Sequence, residues 1–217
     1  AKELNVDLMI YGVDISDTAP ALFFCDQKIK VCRITDQEYM PSLMRVCEEE
    51  KIDALIPTID TDLLLLSQHK TTFQNIGTKL FISDEDKIKI CRDKRTTKSF
   101  FDSIGLLSPI YVDDYKKYNN GFPAFIKPKD GSSSINAYKV NDESELKTYS
   151  KEVPTYIVTP FIDGVEYTVD AFCDFDGNPI FITPRIRLTV RSGEVLKTEI
   201  VQDEKIIEET KIILKEF

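Results

Sequence analysis

Three stretches of this 217-residue chain carry residue types that could do chemistry on an anion. The first is Ile126-Lys127-Pro128-Lys129-Asp130-Gly131-Ser132-Ser133-Ser134. A strand ends on Lys127, a Gly/Ser loop follows, and a second strand begins. Glycine and serine let a backbone approach an anion closely, amides and hydroxyls donate hydrogen bonds, and Lys127 and Lys129 neutralise charge. The loop joins two strands, so it is not the phosphate loop that feeds a helix. The same residues also read as an ordinary hairpin loop with solvated lysines.

The second stretch runs from Thr183 to Arg191. Strand alternation puts Arg185, Arg187, Thr189 and Arg191 on one face, with Ile186, Leu188 and Val190 behind. Aligned arginines repel one another unless something anionic lies among them, and their planar forks suit phosphate or carboxylate. The other reading is an exposed sheet face whose arginines pair with neighbouring Glu and Asp. The third stretch is Asp163 to Asp170, where Glu166, Thr168 and Asp170 share a polar face. Glu166 follows a strand-to-strand turn and could hold ribose hydroxyls or simply solvate a strand start.

The elements that must position these residues fall into two patterns. Up to about residue 92, short apolar runs alternate with helical stretches. The runs are Val6 to Gly12, Val31 to Ile34, Asp53 to Ile59 and Lys79 to Ser83. Runs apolar on both faces suit buried parallel strands, so the rhythm predicts an open, doubly wound α/β unit. A helix is predicted to open at Asp84, and Asp93-Lys94-Arg95 opens another that ends at Gly105. Strands are predicted at Ile110 to Val112, Phe122 to Lys127, Asn136 to Val140, Tyr156 to Phe161 and Val165 to Asp174. A hairpin follows, Ile180 to Arg191 and Val195 to Val201, and then a helix from Asp203 to Phe217. This second half is α+β with an antiparallel sheet.

Composition narrows the function classes. The net charge is −9, from 28 Lys+Arg against 37 Asp+Glu, which argues against nucleic acid or an anionic membrane as partner. No apolar run approaches a membrane span and no signal-peptide pattern opens the chain, so the expected setting is cytoplasmic. The five cysteines have no metal-ligand spacing and read as reduced core residues. The lone His69 reads as a helix-end surface residue, and it rules out a multi-histidine metal site.

In order, the motifs resemble the ATP-grasp superfamily, and in particular its carbamoyl-phosphate-synthase-like branch. The residues that carry the resemblance are Asp93-Lys94, FPAFIKPKDGSSS (122–134), YIVTPFIDGVEYTVDAF (156–172) and PRIRLTVRSGEVLKT (184–198). PALFFCD (20–26) and ALIPTIDTDLLLL (54–66) look like the Rossmann-like domain that precedes such a module. The resemblance implies a pre-ATP-grasp domain over 1–92 and an ATP-grasp domain over 93–217, with a lid at about 122–155. It implies that Lys94 and Lys127 contact ATP phosphates, while Lys129 and Gly131, Ser132, Ser133 and Ser134 close over them. Thr159, Pro160, Phe161 and Ile162 look like the hinge that reads the adenine edge, with Thr159 where many members carry Glu. Glu166 looks like the ribose carboxylate. Arg185 and Arg187 look like the cations that face the γ-phosphate and an acyl phosphate, with Arg191 a weaker candidate.

The implied activity is ATP-dependent ligation of a carboxylate, or bicarbonate, to an amine or ammonia, with a homodimer possible. The first strand and the acidic E-x-N segment that would hold Mg2+ are expected to lie outside this chain, which on its own is then expected to be inactive. A non-catalytic nucleotide-binding or regulatory module of the same fold is the second reading. A dinucleotide-dependent oxidoreductase is disfavoured, because the chain carries no GxGxxG and that reading leaves the arginine strand unexplained.

Overall fold

Strands and helices alternate from the start of the computed structural model, which describes residues 6–131, 134–174, 176–191 and 193–217. Strand β1 (Tyr11–Asp14) pairs in parallel with β2 (Gln27–Lys30). Helix α1 (Tyr39–Glu49) leads to β3 (Ala54–Leu55), and helices α2 (Leu63–Gln68) and α3 (Lys70–Asn75) precede β4 (Lys79–Leu80). Strands β3 and β4 form a second parallel pair. This unit, Ala1–Glu85, has its own core of Tyr39, Met40, Leu43, Cys47, Leu66, Phe73 and Leu80. Helices α1, α2 and α3 pack with β3 and β4 in this core, and both strand pairs are parallel, the Rossmann-like α/β arrangement.

Several predicted runs shift. The second strand is Gln27–Lys30 rather than Val31 to Ile34. Val31, Cys32 and Ile34 instead pack as irregular chain against the core, which explains why they are apolar. Val6, Leu8, Met9 and Ile10 lie outside β1 and are exposed. Among the cysteines only Cys47 is buried, while Cys91 is exposed; all five are free.

The second unit, Asp86–Phe217, takes in most of helix α4 (Glu85–Arg92) and then α5 (Lys94–Ser103). Asp93 caps α5, its carboxylate accepting from the Arg95 amide at 2.9 Å and gripping the Arg95 guanidinium. Strand β5 (Ala124–Pro128) then lies between β6 (Tyr138–Val140) and β7 (Tyr156–Pro160), antiparallel to both. Ile110 to Val112 contributes only an isolated bridge, Val112 to Val158.

Helix α6 (Glu143–Glu152) was not legible as a helix in the apolar pattern, yet its start is well specified. Asp142 accepts from the Glu145 amide at 2.9 Å, and the Glu145 carboxylate reaches back to the Asn141 amide at 2.8 Å. This reciprocal arrangement satisfies amides that an unfinished helix end would leave bare. Leu146 of α6 packs with Ala124, Ile126, Val140 and Val158 in a second core. Alternation therefore commits one face of the sheet to α6 and sends Phe125, Lys127, Lys139 and Thr159 to the other.

Strands β8 (Tyr167–Cys173), β9 (Pro179–Arg191) and β10 (Glu194–Ile200) form an antiparallel sheet in the order β10-β9-β8. Helix α7 (Glu204–Lys215), capped by Asp203, packs along β9 and buries Ile207. Near its end, Lys87 donates to the Glu216 carbonyl, and Phe100 meets Phe217 edge-on at 5.1 Å. Among the described residues no helix is long and apolar enough to cross a membrane.

The second core makes a quantitative prediction. Leu146 is 1% exposed, so Leu146→Ala should destabilise the second unit by about 2–5 kcal/mol. Asp142→Ala removes only the cap and should cost about 1 kcal/mol. Denaturant titration of both variants checks this, and equal effects would contradict the packing described.

Candidate functional site

Two lysines from different elements meet where β5 ends and α5 begins. Lys127 occupies the face of β5 turned away from α6, next to Phe125 in alternation. Lys94 is the first residue of α5, and its amide donates to the Lys129 carbonyl at 2.8 Å, tying the helix start to the loop after β5. The Lys94 ammonium donates to the Gly131 carbonyl at 3.2 Å. Lys129 is fastened from the other side, its amide donating to the Thr155 carbonyl at 2.9 Å.

The electrostatics of the pair are unbalanced. Burial pushes the Lys94 amine below its usual value, with Asp130 and Asp93 acting in the opposite sense. Burial also pushes the Lys127 amine down, and the charge of Lys94 pushes it further. No carboxylate counters that on Lys127, whose ammonium forms no ion pair or hydrogen bond among the described residues. Its nearest aromatic ring, Phe125, lies 5.7 Å from the ammonium. A half-buried cation held beside a second cation, with no counter-ion of its own, is stabilised by an added anion.

Gly131 adopts φ +97°, a left-handed conformation open to glycine, and a Cβ there would meet nothing within 4 Å. Ser134 is exposed, also with positive φ. Ser132 and Ser133 lie outside the described residues. Thr159 and Pro160 end β7, with Thr159 5% exposed and opposite Phe125. The Phe161 amide donates to Pro123, its ring lies under the Lys139 ammonium at 4.0 Å, and Phe125 is 6.3 Å away between centroids. Ile162 is 67% exposed and makes no backbone hydrogen bond among the described residues. Lys139 and Phe125 were not singled out by sequence; the i, i+2 spacing of Phe125 and Lys127 is the signal that could have found Phe125.

The arginine face is not bare. The Arg185 Nε donates to Asp170 Oδ2 at 2.5 Å, and its Nη2 donates to Oδ1 at 3.3 Å. Arg187 donates from Nη2 to the Gly193 carbonyl at 2.9 Å, while Glu166 lies 3.4 Å from its Nε. That contact lacks hydrogen-bond geometry, so the buried Nε is left without a bond. Glu166 is exposed, and so is Arg191 near the end of β9. Asp170 of β8 and Glu166, just ahead of that strand, thus supply counter-charge to Arg185 and Arg187. The β9–β10 ladder is irregular opposite Arg187–Val190, so strict alternation does not carry through to Arg191.

Sequence comparison decides the family. An ATP-grasp domain model matches residues 91–217, more than half of the chain. The chain belongs to the ATP-grasp family. A PylC-like N-terminal domain matches residues 1–81. A carbamoyl-phosphate synthase from Methanobrevibacter smithii is 22% identical over 153 residues, covering 67% of this chain and 41% of that protein. D-alanine–D-alanine ligase B from Clostridium perfringens is 25% identical over 152 residues, covering 59% of this chain and 49% of that one. Among solved structures, an L-amino acid ligase from Bacillus licheniformis superposes with TM-score 0.74 at 16% identity, over 99% of this chain and 55% of the other. The chain spans less than half the length of these two curated relatives.

Magnesium accompanies ATP in the expectation drawn from the family resemblance. Among the described residues no group of three His, Cys, Asp or Glu could hold a metal ion.

The lysine pair makes a signed prediction. Both amines lie below their usual 10.5 in the free protein, and a bound polyphosphate favours their charged forms. Nucleotide binding at alkaline pH should therefore take up protons, and affinity should fall as pH rises. Calorimetry in buffers of different ionisation enthalpy reads the uptake. Lys127→Arg, which stays charged, should diminish it; undiminished uptake would contradict the account. The stability linkage runs the other way. Holding both amines charged costs stability at low pH, and that cost is relieved as pH climbs through the lowered values towards 10.5.

Proposed function

We propose that the intact protein is an ATP-dependent carboxylate–amine or carboxylate–ammonia ligase that proceeds through an acyl phosphate. The observation that carries this reading is the half-buried Lys94–Lys127 pair, with no counter-ion at Lys127 among the described residues. The domain division at residues 92 and 93, and the lid over about 122–155, belong to the same reading. The named activities of the relatives lend it support: two ligases join amino acids, and carbamoyl-phosphate synthase is named for a carbamoyl phosphate.

In this mechanism Lys94 and Lys127 bind the phosphates of ATP, and Lys129 with Gly131 to Ser134 closes over them. The hinge from Thr159 to Ile162 takes the adenine edge, and Glu166 takes the ribose hydroxyls. A substrate carboxylate oxygen, or bicarbonate, attacks the γ-phosphorus. The bond from that phosphorus to its bridging oxygen breaks, ADP leaves, and an acyl or carboxy phosphate forms. Arg185 and Arg187 neutralise the charge that moves onto the transferred group. An amine or ammonia then attacks the acyl carbon, and phosphate leaves as the amide or carbamoyl bond forms. Closure of the loop would protect the intermediate from water.

Lys127→Ala and Arg187→Ala separate ground-state binding from the chemical step. A hydrogen bond to a charged group contributes about 1.5–3 kcal/mol, so Lys127→Ala should weaken ATP roughly ten- to a hundredfold. Arg187→Ala should alter ATP binding less and turnover more, because its partner charge develops during transfer. ATP titration paired with ADP and amide formation by the full-length protein tests both. ATP binding as tight in Lys127→Ala as in the parent would overturn the phosphate assignment. Binding without turnover, in the presence of carboxylates and amines, would favour a regulatory nucleotide-binding module.

A further inference from the structure

We infer that Asp170 is a positioning residue that holds the Arg185 guanidinium ready for an anion, an inference that rests on the reading of Arg185 given above. The β8–β9 register sets Thr168 opposite Arg185 and Asp170 opposite Thr183. Asp170 and Arg185 are thus diagonal neighbours on one face of the sheet, within reach of long side chains. The carboxylate takes the Nε edge of the guanidinium through two hydrogen bonds. That fork fixes the plane of the group, and among the described residues Nη1 makes no hydrogen bond, which leaves it to donate to an anion.

Arg187, two residues along the same face, is held differently. Its Nε is buried without a bond, and the nearest carboxylate, on Glu166, approaches only to 3.4 Å. Arg185 is therefore the arginine whose orientation is set by a carboxylate before any ligand arrives. Its side chain is 24% exposed against 52% for Asp170, so the cation is the more enclosed partner and the carboxylate approaches from the solvent side.

A plainer role for Asp170 would be to lower the positive charge of the face, and the two roles predict opposite signs. If Asp170 only offsets charge, removing its charge strengthens the local positive potential and tightens anion binding. If it positions Arg185, removing it leaves a long side chain to be ordered at the moment of binding, which weakens binding roughly two- to tenfold.

The experiment is calorimetric titration of the 217-residue chain with inorganic tripolyphosphate. It uses the parent, Asp170→Asn, Asp170→Glu, Arg185→Ala and the Asp170→Asn/Arg185→Ala double variant, with far-UV spectra and melting curves confirming the fold of each. The expected result is weaker binding in Asp170→Asn, partial recovery in Asp170→Glu, and no further loss in the double variant beyond that of Arg185→Ala. Unchanged or tighter binding in Asp170→Asn would overturn the inference, as would an equal loss whether or not Arg185 is present. Absence of tripolyphosphate binding in the parent would overturn the anion-site reading and this inference together. A parent that binds and follows the expected pattern, while the full-length protein forms no product from ATP, carboxylate and amine, would sink the ligase reading and leave the role of Asp170 standing.

Discussion

Two half-buried ammonium groups, with the charge of Lys94 acting on Lys127, are the constraint around which the second unit is organised. Like charges in a medium of low effective dielectric repel more strongly than they would in water, and burial penalises each charge further. A fold keeps such a pair only if its positions are fixed by something stronger than their repulsion. Here that is backbone. Lys94 is fixed by the start of a capped helix, Lys127 by the end of a strand hydrogen-bonded on both edges, and the loop between them by amides on Lys94 and Lys129. An anion bound between them would offset that cost.

That arrangement explains why the sheet has two unlike faces. Ala124 and Ile126 alternate with Phe125 and Lys127 along β5, so burying the first pair against α6 delivers the second pair to the opposite side. The hydrophobic core and the cationic site are thus consequences of one alternation. The second sheet works by a different rule. Arg185 and Arg187 are matched by carboxylates on or just before the neighbouring strand, and the match varies from the two-bonded Asp170 to the loosely placed Glu166. Exposed ion pairs of this kind contribute little to stability. What they fix is the direction of a cation.

Much of this was legible in the sequence where local chemistry dictates structure. The helix opening at Asp93, the strand ending on Lys127, the hairpin of Arg185 and Arg187 and the terminal helix all follow from residue type and period. Helix α6 escaped because Leu146 is its one fully buried residue among many polar ones, so its apolar stripe is faint. The cap formed by Asp142 and Glu145 was the available sign. Gln27–Lys30 escaped because a strand of polar residues looks like a loop until its parallel partner is known. The approach of Lys94 to Lys127, and of Asp170 to Arg185, depends on tertiary placement and strand register, which residue spacing alone does not specify.

The most direct test is a crystal structure of the protein with a non-hydrolysable ATP analogue. The account predicts that phosphate oxygens lie within hydrogen-bond reach, about 2.7–3.2 Å, of both the Lys94 and the Lys127 ammonium groups, with the adenine edge at the backbone of Pro160 and Ile162. An analogue bound with its phosphates away from both lysines would contradict it.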